Sequence, residues 1–181
     1  MISSISSASE YRPKSFNDMI GQDAIVKTLN NAIKNDNIPQ ALLFCGPRGV
    51  GKTSCARILA KTINNLEDDF EYNIFELDAA SNNSVEDIRN ITDQIRIPPQ
   101  TGRYKVYIID EVHMLSNQAF NAFLKSLEEP PEHVVFILAT TEKNKILPTI
   151  LSRCQIYDFK KVDNESIIKL LSKICKEKKV K

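Results

Sequence analysis

Gly46-Pro47-Arg48-Gly49-Val50-Gly51-Lys52-Thr53 matches G-x-x-x-x-G-K-[ST] in full. An apolar run, Ala41 to Cys45, precedes it, and a helical pattern, Thr53 to Asn64, follows. Glycines at this spacing let successive backbone N–H groups curl around phosphate oxygens, and a helix N-terminus behind them adds partial positive charge. The pattern predicts a nucleotide-phosphate cradle running from Gly46 through Ser54. Lys52 would reach the β- and γ-phosphates, and the Thr53 hydroxyl would ligate Mg²⁺. A glycine-rich turn without a ligand is the competing reading, and the strand–loop–helix context argues against it.

A second constellation lies downstream. Lys105-Val106-Tyr107-Ile108-Ile109 is an apolar strand running into Asp110-Glu111. A strand ending in two acids delivers them to the carboxyl edge of a sheet, where open α/β sheets bind ligands. Asp110 is then the partner of the Mg²⁺ site, directly or through a water, and Glu111 is placed to orient and deprotonate an attacking water. Alone, the pair would read as a solvated acidic turn; behind a phosphate loop it reads as catalytic. Asp110-Glu111-Val112-His113 also spells a helicase-like box, a weak signal. His113 is expected to be an ordinary polar residue near the site, and His133, beside Pro130-Pro131, a surface loop residue.

These groups need a scaffold. Residues 22–36 carry Ile25, Leu29, Ala32 and Ile33 at helical spacing. Ala41 to Cys45, Asn73 to Leu77, Lys105 to Ile109, Val134 to Ala139 and Gln155 to Phe159 read as five strands. Between them, helices are expected over Thr53 to Asn64, from Ser84 to about Ile95, over Gln118 to Glu128 and, briefly, Pro148 to Ser152. Ser84 and Asp87 approximate a capping box. Leu66 to Tyr72 is acidic and turn-like, and Pro98-Pro99 breaks the chain. Alternating strands and helices imply βαβ units, hence an α/β fold with a parallel five-stranded sheet covered by helices on both faces. A last amphipathic helix, Ser166 to about Lys178, follows a boundary near Lys160 to Asp163. The expected division is residues 1–160 as one domain and 161–181 as the start of a second.

Composition excludes other classes. Hydrophobic residues at 42% suffice for a packed core. Lysine plus arginine, 24, balance 23 acids, so nucleic-acid binding would need local clustering rather than net charge. No run of about 18 apolar residues suggests a membrane span. Met1 to Ser9 lacks the basic and apolar regions of a signal peptide. Cys45, Cys55, Cys154 and Cys175 stand far apart, with Cys45 and Cys55 in apolar surroundings. They support neither a disulfide framework nor a zinc site, and a reducing cytoplasm fits best.

Several further segments follow in one order: Tyr11-Arg12-Pro13, Ile20-Gly21-Gln22, the phosphate loop, Glu76-Leu77-Asp78-Ala79-Ala80-Ser81 and Ile109-Asp110-Glu111-Val112-His113-Met114-Leu115. After them come Leu124-Lys125-Ser126-Leu127-Glu128-Glu129-Pro130-Pro131, Ala139-Thr140-Thr141 and Leu151-Ser152-Arg153-Cys154. Together they closely resemble the gamma/tau subunits of the bacterial DNA polymerase III clamp loader, which are AAA+ P-loop ATPases. The resemblance runs from about Tyr11 onward. It implies an ATP-hydrolysing motor that opens the sliding clamp and loads it onto primed DNA, within a hetero-oligomer, a pentamer in the family. It implies that Thr141 is the sensor of the γ-phosphate and that Arg153 is an arginine finger serving the neighbouring subunit's site. Arg153 comes late in the chain, far along the expected sheet from its own phosphate loop. Tyr11, Arg12 and Ile20 would cradle adenine and ribose. Without the resemblance, Thr141 reads as a strand-end hydroxyl and Arg153 as a surface arginine at a helix end.

Two departures from the family stand out. Its four-cysteine zinc module, between the phosphate-loop helix and the next strand, is replaced by Asn64-Asn65-Leu66-Glu67-Asp68-Asp69, so no zinc is expected. The chain also stops at Lys181, before the family's lid is complete and before its collar, so a fragment is expected. For primer–template DNA, the helix starting at Ser84 is the candidate. Arg89 and Arg96 are either phosphate contacts or a solvated basic face. Two other functions compete. A branch-migration motor is disfavoured by Ser152-Arg153-Cys154 and Glu128-Glu129-Pro130-Pro131. A non-hydrolysing subunit of the delta-prime kind is disfavoured by the intact Lys52-Thr53 and Asp110-Glu111.

Overall fold

Five strands pair in parallel in the order β2-β3-β4-β1-β5 in the computed structural model, which describes residues 11–65, 72–81 and 84–177. The strands are β1 Ala41–Cys45, β2 Ile74–Asp78, β3 Lys105–Asp110, β4 Val134–Thr140 and β5 Gln155–Asp158. The longer helices are α1 Asp23–Lys34, α2 Lys52–Asn64, α3 Val85–Ile95, α4 Asn117–Glu128, α5 Pro148–Leu151 and α6 Asn164–Glu177. The acidic stretch 66–71, the serine-rich start and the tail from residue 178 lie outside the described residues.

A parallel sheet must be covered on both faces, and its strands alternate side chains between them. Leu42, Phe44, Val106, Ile108, Val135 and Ile137 pack on one side with Ile25 and Leu29 of α1 and Cys55, Ile58 and Leu59 of α2. Leu43, Tyr107, Ile109, Phe136 and Leu138 pack on the other with Ile88 of α3 and Phe120 and Phe123 of α4. β1 and β4, the inner strands nearest the phosphate loop, are buried at every position. Each such Leu or Phe removes enough apolar surface to contribute about 1.5–3 kcal/mol. Phe123 meets Phe136 edge-on at 5.1 Å, so truncating Phe123 would open a cavity between helix and sheet.

Helix starts follow their caps. Ser84 accepts a bond from the Asp87 amide in a complete capping box, and Ser116 caps α4 from outside at the Ala119 amide. The last helix begins earlier than periodicity suggests. Asp163 accepts from the Ser166 amide and hydroxyl, both at 2.8 Å, and so starts the helix at Asn164. β2 lies one residue later than expected, because Asn73 is engaged in the turn before it, its amide donating to the Thr101 carbonyl. His133 corrects the surface-loop expectation. It is half-buried, and its Nε2 lies 2.9 Å from the Ile95 carbonyl, taking up an acceptor left without an intrahelical partner at the end of α3. α3 stops at Ile95, so Arg96 stands just beyond the helix; Arg89 and Arg96 are both exposed.

Register positions the chemistry. Cys45 pairs with Thr140 on one side and Asp158 on the other, and Asp78 pairs with Asp110. The carboxyl ends of the strands therefore form a row. The phosphate loop leaves the sheet from β1, one strand in from the β5 edge, with β4 and β5 as neighbours. No helix among the described residues is long and apolar enough to cross a membrane.

Candidate nucleotide-binding and catalytic site

The loop between β1 and α2 takes its shape from glycines that no other residue could replace cheaply. Gly46 has φ +150°, and a Cβ there would lie 2.6 Å from the Phe159 carbonyl oxygen. Gly51 has φ +97° and stands at the N-cap of α2 with no side-chain cap. A side-chain cap like those of α3 and α4 would occupy the first amides of the helix; here they are left to an anion. Arg48 and Gly49 are exposed, Val50 is buried, and Thr53 and Ser54 are partly buried.

Lys52 is 6% exposed, and its Nζ donates to the Gly46 and Pro47 carbonyls, each at 2.8 Å. Burial pulls its pKa below the ordinary lysine value, against the opposing pull of the Glu111 and Asp110 carboxylates. Thr53 Oγ1 donates to Asp110 Oδ2 at 2.5 Å. A hydroxyl and a carboxylate side by side are the hard oxygen ligands that Mg²⁺ takes, so these residues fit the ion. Asp110 Oδ1 in turn accepts from the Glu111 amide at 3.0 Å.

Glu111 is in the left-handed region, φ 48° and ψ 44°, a conformation that costs a non-glycine residue of order 1 kcal/mol or more. That turn aims its carboxylate across the edge toward β4. Glu111 Oε2 accepts from the Thr141 hydroxyl at 2.9 Å and the Thr141 amide at 3.2 Å. Thr141 is the residue after β4, which ends at Thr140. The structure thus brings Lys52, Thr53, Asp110, Glu111 and Thr141 to one end of the sheet.

Tyr11, Arg12 and Ile20 line the same cleft as the phosphate loop, Asp110 and Glu111. Its volume is about 1060 Å³, and α6 borders it through Ser166 and Leu170, with Val162 just before that helix. A strap holds the cleft together, because the Gln22 amide spans from the Lys160 carbonyl at 2.7 Å to the Val50 carbonyl at 3.4 Å.

Arg153 stands apart from this group, but not for the reason that chain order suggests. β5 pairs directly with β1, so Arg153 is not separated from the loop along the sheet. It precedes β5 and lies at the opposite, amino edge of the strands. There its guanidinium donates to the Thr149 carbonyl at 2.6 Å and to Glu128 Oε1 at 2.8 Å. His113 is no ordinary polar bystander; its side chain is 5% exposed and sits against Thr140, Glu111 and Glu142. Reading the sequence also missed Arg57, on α2 one turn after Thr53, which pairs in a fork with Glu76 of β2 at 2.5 and 2.6 Å. Glu76-Leu77-Asp78 was visible as a motif, but nothing local marked its partner. Among the described residues, no three His, Cys, Asp or Glu side chains form a further metal cluster.

Comparison with known proteins places this geometry. The family model described as DNA polymerase III, delta subunit, matches residues 21–74 and 70–163. The chain is 49% identical to DNA polymerase III subunit tau of Bacillus subtilis, over 91% of this chain and 32% of that protein. It is 44% identical to the Escherichia coli subunit tau, over 96% of this chain and 30% of that protein. The chain therefore spans about a third of the length of these relatives. A DNA polymerase III gamma-subunit-related protein from Thermotoga maritima superposes with a TM-score of 0.67 at 25% identity, covering 82% of this chain and 52% of that one. The Thermotoga maritima RuvB Holliday junction branch migration motor superposes at 0.74 with 22% identity, covering 94% and 56%, which shows a shared fold.

Proposed function

The chain belongs to the DNA polymerase III subunit family, as an N-terminal domain of the gamma/tau type, and from that premise we propose that it is an ATP-hydrolysing motor of the clamp loader. In this reading it works in the cytoplasm with the other loader subunits, opens the sliding clamp and loads it onto primer–template DNA. Residues 1–160 form the AAA+ domain, and 161–181 open the helical lid.

One observation carries the reading. Thr53 and Asp110 touch at 2.5 Å, and Glu111 follows at the same sheet edge, beside Lys52 and an uncapped helix N-terminus. That is the arrangement phosphoryl transfer needs: anion binding, a cation site and a base within one cleft. Gly46 to Ser54 would bind the phosphates, with Tyr11, Arg12 and Ile20 at the base and ribose. Mg²⁺ on Thr53 and Asp110 would neutralise charge on the β- and γ-oxygens. Glu111 would orient and deprotonate water. Thr141, which donates to the Glu111 carboxylate, would report the γ-phosphate. Arg153, at the far edge and paired with Glu128, would serve a neighbour's site, where such fingers typically contribute 10³ to 10⁵ in rate. We further propose that the chain holds no zinc; elemental analysis finding one zinc per chain would overturn this.

The test is Glu111→Gln in the full-length protein. ATP binding should persist while turnover falls by about 10² or more. Turnover near wild type would remove Glu111 as the base.

A further inference from the structure

We propose that His113 is a positioning residue that sets the orientation of the Glu111 carboxylate, through a ring bonded to Thr140 and facing Glu142. The proposal rests on reading Glu111 as the base.

His113 lies in the single helical turn Val112–Met114 that follows Glu111, and the Met114 amide closes that turn on the Glu111 carbonyl at 2.8 Å. Its side chain is 5% exposed, so its two ring nitrogens need partners within the protein. Nδ1 lies 2.9 Å from Thr140 Oγ1. Nε2 lies 3.4 Å from Glu142 Oε1.

Hydrogen-bond accounting identifies the tautomer. Thr140 is fully buried, and its Oγ1 accepts the Glu142 amide at 3.0 Å. The hydroxyl has a second lone pair, but its buried proton also needs an acceptor, and among the described residues His113 Nδ1, at 2.9 Å, is the partner in reach. Nδ1 is therefore an acceptor, and the ring proton sits on Nε2, facing the Glu142 carboxylate. At 3.4 Å that contact is electrostatic rather than a hydrogen bond.

This tautomer has a consequence for the base. Glu111 Oε2 is 3.4 Å from Nδ1, lone pair facing lone pair. No hydrogen bond forms there, and the carboxylate is turned instead onto Thr141, whose amide and hydroxyl it accepts. The ring is a wall behind the base. Thr140 Oγ1 itself accepts the Glu142 amide, so the ring that holds this hydroxyl also steadies the intervening Thr141.

Removing the ring leaves the Thr140 hydroxyl without its acceptor and gives Glu111 room to rotate. In the full-length protein, His113→Ala should lower kcat by on the order of 10- to 100-fold, the cost of a misplaced reacting group. ATP affinity should stay within about threefold, because no phosphate contact is touched. His113→Asn puts a carbonyl oxygen near the place of Nδ1 and should recover much of the rate. His113→Gln reaches toward Glu142 instead and should not. An Asn variant no faster than Ala, or affinity lost in step with kcat, overturns the proposal.

A second measurement needs no activity. The chain has two histidines, so long-range ¹H–¹⁵N correlation in the ligand-free protein, assigned with His113→Asn, reads the tautomer directly. A proton on Nε2 and none on Nδ1 is expected; a proton on Nδ1 refutes the lock. If wild type hydrolyses no ATP, or Glu111→Gln matches it, the assignment of the base fails, and the tautomer still decides the lock separately.

Discussion

Lys52→Met tests whether the phosphate loop binds through charge or through backbone alone. Methionine keeps the buried stem and deletes the ammonium. In the ligand-free loop Nζ already donates to the Gly46 and Pro47 carbonyls at 2.8 Å. Binding a triphosphate exchanges those two acceptors for phosphoryl oxygens, so the number of hydrogen bonds barely changes. The gain is Coulombic. One positive and one negative charge about 4 Å apart, at an effective dielectric of about 20, attract by about 4 kcal/mol. Leaving the two carbonyls without their donor takes back roughly 2 kcal/mol, about 1 for each. About 2 kcal/mol remains, roughly 30-fold in affinity. Calorimetry with ATP and Mg²⁺, on wild type and Lys52→Met, measures it. Burial lowers the Lys52 pKa, so its contribution is present below that pKa and fades as pH rises through it, earlier than for an exposed lysine. An affinity within about threefold of wild type would refute the reasoning and leave binding to the amides of Gly46 through Ser54.

Three further outcomes are expected. Arg153→Ala should bind ATP normally as an isolated chain, because among the described residues its guanidinium bonds to Thr149 and Glu128, away from the cleft, yet fail to support turnover in the assembled full-length loader. Mixing it with Lys52→Ala subunits should restore some turnover; no more activity than either mutant alone would return Arg153 to a structural role. Asn64→Ala should cost about 2–4 kcal/mol in urea denaturation, because Asn64 Oδ1 accepts the Arg103 and Tyr104 amides at 3.0 and 2.7 Å and truncation leaves both unpaired. Among the four cysteines, exposed Cys175 should react with a disulfide reagent in the native protein. Burial pushes Cys45 to about 11 and Cys55 and Cys154 to about 12, so these three should react only after unfolding; fast labelling of more than one thiol would contradict that packing.

What the sequence made legible was local. The loop from Gly46 to Thr53 announces itself because its chemistry is consecutive: glycines for the turn, then lysine and threonine on the first turn of a helix. Asp110-Glu111 is legible for the same reason, two acids ending an apolar strand. The strands and helices followed from periodicity to within two residues, and Asp163 shows where that fails. A side-chain cap starts α6 two residues before the apolar pattern would.

What stayed hidden depended on partners distant in the chain. Gln22 strapping Lys160, Arg57 meeting Glu76 and Asn64 holding the turn at Arg103 have no local signature, since glutamine, arginine and asparagine on a helix usually face water. Arg153 is the instructive case. Chain order puts it after four strands, which suggests distance across the sheet. The sheet instead inserts β1 between β4 and β5, so β5 is the loop strand's own neighbour. The separation is real but runs along the strand. Arg153 enters β5 at the amino edge while the phosphate loop leaves β1 at the carboxyl edge. A parallel sheet enforces this, because every strand start is on one side and every strand end on the other. Arg153 accordingly does not line the cleft that holds the phosphate loop, and this is the observation behind the proposal that it acts on a nucleotide bound elsewhere.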